Sequence, residues 1–113
     1  MQAIYHLAPA ERWRDWPAGQ PYLPAEYAAD GFVHCTAGPA LMLRVANRFY
    51  RSVPSAFVVL EIDPARLTAP LKWEPSPDDL APAFPHIYGS IDRAAIVAAH
   101  AVRRAADGEF LGW

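Results

Sequence analysis

The sequence predicts an α+β fold of small mixed or antiparallel split sheets with two or three helices. Three observations carry that expectation. Short runs of β-favouring residues are bounded by prolines, of which the chain has 12. One stretch near the middle repeats its apolar residues at helical spacing. Strands and helices are mixed without the regular alternation of a parallel βαβ sheet. A length of 113 residues suits a single domain, 1–113.

In order, QAIYHL (2–7) reads as a first strand. Pro9 suits the opening of a short helix, AERWRDW, which Pro17 stops. Residues 17–30 hold Pro17, Pro21, Pro24 and Gly19 and read as a loop over the domain. GFVHC (31–35) is a short strand, and Thr36 is placed to cap the helix after it. That helix runs from about Pro39 to Tyr50, with Leu41, Val45 and Phe49 forming a stripe that Met42 and Ala46 widen, a face suited to packing on a sheet. AFVVLEID (56–63) is mostly apolar and reads as a central strand, with Asp63 capping the turn at Pro64. LKWE (71–74) is a shorter strand, 75–85 a second loop, and HIYGSI (86–91) a strand. Asp92 is placed to cap a short turn. Residues 96–102 read as strand or helix, their alanines leaving both open.

Composition narrows the function classes. A 53% hydrophobic content is that of a folded chain, and a formal charge of -2 excludes long nucleic acid as a partner. Arg44, Arg48 and Arg51 read either as a solvated helix face or as a surface that meets a small anion. The single cysteine, Cys35, forms no internal disulfide and suits a reducing compartment. The opening MQAIYHLAPAERW lacks the basic and apolar pattern of a signal peptide, and no apolar run reaches membrane-spanning length, so no membrane is expected and a cytoplasmic location is.

The concentrated chemical signal is three histidines on or beside expected strands: His6, His34 and His86. Each strand is able to deliver its histidine to one cleft. The structural alternative is three half-buried rings, each satisfied by a backbone carbonyl. Their spacing is unlike that of helical or turn-based metal sites, so no metal is expected. His100, in an alanine-rich segment, reads as structural. Cys35 adjoins His34, but adjacent strand residues point to opposite faces, which makes a poor nucleophile and base pair. Glu61 reads as an ion-pair partner or as a base facing the site.

The blocks IYHL, DGFVHCT, ANRFYR, VVLEIDPARL, LKWEP and FPHIYGSI resemble the family known as domain of unknown function 952, along nearly the whole chain. That family is bacterial in large part and carries no established activity. It is in turn distantly similar to the ADP-ribosyltransferase-like superfamily. By that resemblance His6 falls where a histidine holds a ribose hydroxyl, His34 where an aromatic stacks on nicotinamide, and His86 where the catalytic glutamate stands. Tyr5, His6, His34, Thr36 and Arg48 are the implied ligand-contacting residues, and His6, His34 and His86 the implied catalytic ones. NAD, or a nucleotide-like or ribosyl compound, is the implied small-molecule ligand, with Trp13, Tyr22 or Tyr27 closing over it. A neutral histidine cannot supply the negative charge of the glutamate, so two readings stand together. One is an NAD- or nucleotide-processing transferase or hydrolase with His86 as general acid or base. The other is a non-catalytic small-ligand or protein-binding module that keeps the fold.

Overall fold

Along Ile4–Pro9 the residues alternate between buried and half-buried, so this segment forms a strand, β1, with two different faces. The computed structural model describes residues 2–76 and 78–113. After β1 come a short helix, α1 (Ala10–Asp15), a helical turn, α2 (Tyr27–Asp30), and two short strands, β2 (Val33–His34) and β3 (Thr36–Ala37). The long helix α3 (Pro39–Phe49) leads to β4 (Phe57–Ile62), β5 (Leu71–Glu74), β6 (Phe84–Ile87), β7 (Ile96–Ala101), β8 (Arg103–Arg104) and β9 (Phe110–Gly112). Short 3-10 turns at Pro64–Arg66 and Arg93–Ala95 flank the second sheet's strands.

The strands split into sheets ordered β3-β1-β4-β7 and β2-β6-β5, with β8-β9 as a separate hairpin, and every pairing is antiparallel. The class is therefore α+β with split antiparallel sheets and, among the described residues, three α-helices. One buried cluster draws Ile4, Ala8, Leu60 and Ile62 from the first sheet and Val33 and Ile87 from the second. Each of the Ile, Leu and Val side chains among them contributes about 1.5–3 kcal/mol when fully buried. Tyr22 and Ile91 close this core and exchange both backbone hydrogen bonds, at 2.9 and 2.8 Å, which pins the proline-rich loop to the body. On the other face of the first sheet, Leu7 and Phe57 pack with Leu43 and Ala46 of α3 and Phe110 of β9.

Several elements sit differently from the sequence expectation. The first strand is shifted to Ile4–Pro9, so Pro9 ends a strand and is also the N-cap of α1, one residue ahead of its first turn. Thr36 pairs with Tyr5 in a strand; Gly38 precedes α3, and Pro39 supplies its start. The strand that carries His86 is Phe84–Ile87, two residues earlier than expected, because Lys72 and Glu74 pair with His86 and Phe84. Residues 96–101 are strand, held by β4 along their length. Asp63 caps its turn as expected, accepting from the Ala65 N–H at 3.0 Å. Asp92 instead accepts from the backbone N–H and hydroxyl of Thr68.

The C-terminal hairpin, for which the sequence gives no expectation, is fastened by two side chains. Asn47 exchanges two hydrogen bonds with the backbone of Phe110, at 3.1 and 2.7 Å. The Arg104 guanidinium donates to the carbonyls of Val53, Ser55, Arg51 and Gly108 and lies 4.1 Å from the Phe110 ring centroid. Gly108 takes φ +92°, and a Cβ there would meet the Arg51 carbonyl oxygen at 2.1 Å. Gly108→Ala is expected to lower stability by about 2 kcal/mol, from backbone strain and displacement of that carbonyl. Urea unfolding checks it; a loss below about 0.5 kcal/mol, the range of an ordinary surface change, contradicts this account.

Candidate functional site

β6 is the central strand of its sheet and all four of its residues are buried. Its alternation sends Pro85 and Ile87 toward the core and Phe84 and His86 to the opposite face. There a cleft of about 650 Å³ opens, lined by Phe32, His34, Cys35, Thr36, Phe84 and His86. α3 forms the facing wall through Val45 and Phe49, and Tyr50 follows at its end. Part of the apolar stripe read from the sequence as sheet-packing is therefore cleft lining; Met42 and Ala46 are the helix residues buried against the body. Glu26, Asp30, Pro75, Ser76 and Asp78 complete the lining.

The register of β2 on β6 sets His34 directly opposite His86. Their rings are 5.4 Å apart, and Phe32 stacks on His86 with 4.0 Å between centroids. His34 is on the rim, and its Nε2–H donates to Asp30 at 2.9 Å. His86 is only 9% exposed. Its Nδ1–H donates to Glu74 Oε1 at 2.8 Å, and the Tyr88 hydroxyl donates to the same oxygen. The Tyr88 bond, followed by that of His86, holds the Glu74 carboxyl below the usual range, while the same bond raises the Tyr88 phenol. A carboxylate accepting from Nδ1 fixes the tautomer, so the lone pair of His86 resides on Nε2. Among the described residues, no partner engages that Nε2.

Glu74, Tyr88 and Phe32 are site residues that the sequence alone does not single out. Tyr88 lies two residues after His86 and so shares its strand face, which is a usable signal. Glu74 sits diagonally across the β5-β6 ladder from His86, and only the register reveals that.

The other expected site residues lie elsewhere. His6 is not part of the cleft lining. It is behind β2, 3% exposed, with Nδ1–H donating to the His34 carbonyl at 2.7 Å. Its Nε2 is buried without a partner among the described residues. Tyr5, next in sequence to His6, faces the opposite side of the sheet, where it packs on Trp113 at 5.7 Å. Thr36 does line the cleft. Arg48 is outside the lining, 3.8 Å from Asp79. Trp13 and Trp16 each pack edge-to-face on buried Tyr22, and with Tyr27 they lie against the core and outside the cleft lining. His100 donates to Glu61 at 2.8 Å on the Tyr5 side of the first sheet, so Glu61 is a hydrogen-bond acceptor there. The Cys35 thiol is buried, and burial pushes its pKa up, leaving it inert. Among the described residues, no group of three or more His, Cys, Asp and Glu is arranged to hold a metal ion, and no helix is long and apolar enough to cross a membrane.

Burial lowers the pKa of His6 below its ordinary 6.5. The folded state therefore keeps this ring neutral while the unfolded chain protonates it. Stability contributed by the neutral ring is complete above the unfolded pKa and is lost as pH falls below it. Between pH 7 and 5 the wild type is expected to lose about 1 kcal/mol more stability than His6→Gln, read from urea midpoints at both pH values. Equal losses in the two proteins refute the assignment.

Known proteins show the same fold. The crystal structure of protein CC0527 from Caulobacter crescentus superimposes with a TM-score of 0.80 at 26% identity, over 96% of this chain and 93% of that one. The solution NMR structure of CC0527 gives 0.74 at 28% identity, over 96% and 90%. No curated protein matches the chain. A family model described as protein of unknown function, DUF952, matches residues 7–99, and the chain belongs to that family.

Proposed function

We propose that the cleft binds a small ring-bearing ligand of the ribosyl or nucleoside class, NAD among the candidates, and that His86 exchanges a proton with it. The observation that carries this reading is the chain Tyr88–Glu74–His86, which ends on a nearly buried imidazole at the cleft wall. Glu74 orients the ring and stabilises the imidazolium formed when Nε2 takes a proton. The cleft volume of about 650 Å³ falls within the range for small-molecule sites, and its walls are mostly apolar with a few polar groups, as such sites are. Phe32, packed on both histidines, offers an aromatic surface beside the reacting atom.

His86 in place of the glutamate of the resembled transferases favours proton transfer over electrostatic support of an oxocarbenium ion. The same replacement favours a second reading, a binding module without turnover. Thermal shift with NAD, ADP-ribose and nucleosides tests binding; a ligand at a hundredfold excess over its Kd adds about 2.7 kcal/mol and raises Tm by several degrees. Release of nicotinamide from NAD, or of free base from a nucleoside, tests turnover. His86→Ala is expected to cut that rate by about 10²–10⁴-fold, and Glu74→Gln to displace its pH profile. Binding without turnover selects the module. Ligand-independent melting with every compound sinks both readings.

A further inference from the structure

The charge of the cleft restricts what it accepts. Its lining holds three carboxylates, Glu26, Asp30 and Asp78, and no Lys or Arg among the described residues. Two cations stand outside the lining: Arg48, 3.8 Å from Asp79, also acts on Asp78 through space, and the Lys72 ammonium lies 4.8 Å over the Tyr88 ring. Asp78 is fixed as an acceptor, since the Ser76 hydroxyl and the Leu80 N–H both donate to it, at 2.6 and 3.0 Å. Asp30 takes one hydrogen bond from His34 and keeps its remaining lone pairs. Phosphate sites are built from guanidinium, ammonium or helix N-terminal N–H groups, and this lining has none of the first two. The short helix α2 is preceded by Glu26, a carboxylate, where an anion site would need N–H donors left free.

Independently of those acids, the buried polar group on the cleft wall is an acceptor. His86 is nine-tenths buried, and with Nδ1–H given to Glu74 its Nε2 presents a lone pair. Such an atom seeks an N–H or O–H donor. Around it stand aromatic faces, whose quadrupoles attract cations and do nothing for phosphate. Carboxylates at the mouth, an acceptor on the wall and aromatic sides are together complementary to one ligand chemistry.

We propose that the ligand is a small ring-bearing organic cation without phosphate, seated between the carboxylates of Glu26, Asp30 and Asp78 and the aromatic walls of Phe32, Tyr50 and Phe84. This rests on the reading of the cleft as a small-ligand site and narrows it. Within the ribosyl class, it favours a positively charged base on a bare ribose over any nucleotide.

The test uses three probes with one ring and different charge: benzylamine, benzyl alcohol and benzyl phosphate. Each is titrated into the ¹⁵N-labelled full chain, following the amides of His34, Cys35, Thr36, Phe84 and His86. Benzylamine is expected to shift these amides with a Kd at least tenfold below that of benzyl phosphate, and the gap should narrow at high salt. The Glu26→Gln/Asp78→Asn double variant, checked for an unchanged amide spectrum elsewhere, should weaken benzylamine at least threefold and leave benzyl alcohol unchanged. Benzyl phosphate binding the same amides as well as or better than benzylamine overturns the charge inference and leaves the site standing. So does benzylamine affinity that the double variant does not alter. Silence of the cleft amides with all three probes removes the small-ligand site itself.

Discussion

A strand buried on both faces constrains everything around it. β6 gives Pro85 and Ile87 to the core and Phe84 and His86 to the cleft, so its period of two divides structural from chemical residues. A slip of one residue would drive an imidazole into the apolar core and leave Ile87 in the cleft. The pairing with β2 and β5 prevents that slip. Val33 meets Ile87 and His34 meets His86 on one side, and Lys72 and Glu74 meet His86 and Phe84 on the other. Both neighbours are short, so the register rests on few bonds and on the apolar contacts beneath them.

His6 serves this arrangement from behind. Its Nδ1–H holds the carbonyl of His34, the residue whose ring faces the cleft on the other side of β2. A carbonyl can only accept, so the bond requires a proton on Nδ1; desolvation favours the neutral ring, which leaves Nε2 bare. The ring is a strut between the first sheet and a two-residue strand that has little pairing of its own. The three histidines therefore divide into a buried support, a rim residue paired with Asp30, and a wall residue backed by Glu74.

Much of this is legible in the chain. LKWE coincides with β5, the apolar run at 56–63 contains β4, and the helical stripe locates α3 to within a residue. His34 and His86 stand out by residue type and setting, and they share the cleft. Sequence periodicity reveals that a strand has two faces but not what covers each. For β1 both faces are covered, one by the second sheet and one by α3, so nothing in IYHL shows that His6 turns away from the cleft. Glu74 and Tyr88 are hidden because their meeting with His86 depends on register. The C-terminal hairpin is hidden because Asn47 and Arg104, distant in sequence from their partners, fasten it with hydrogen bonds that leave no hydrophobic pattern.

The position of the carboxylate decides what chemistry the cleft is suited to. β6 presents His86, and the carboxylate comes from the neighbouring strand, behind the ring, outside the cleft lining. Glu74 then acts on a ligand only through the imidazole, by fixing its tautomer and orienting the ring. Its own basicity is held down by two donated hydrogen bonds, that of Tyr88 first. A carboxylate placed one side chain behind the wall thus presents the cleft with an imidazole acceptor instead of a fixed negative charge. A site of that kind suits a ligand that brings its own proton or positive charge to the wall.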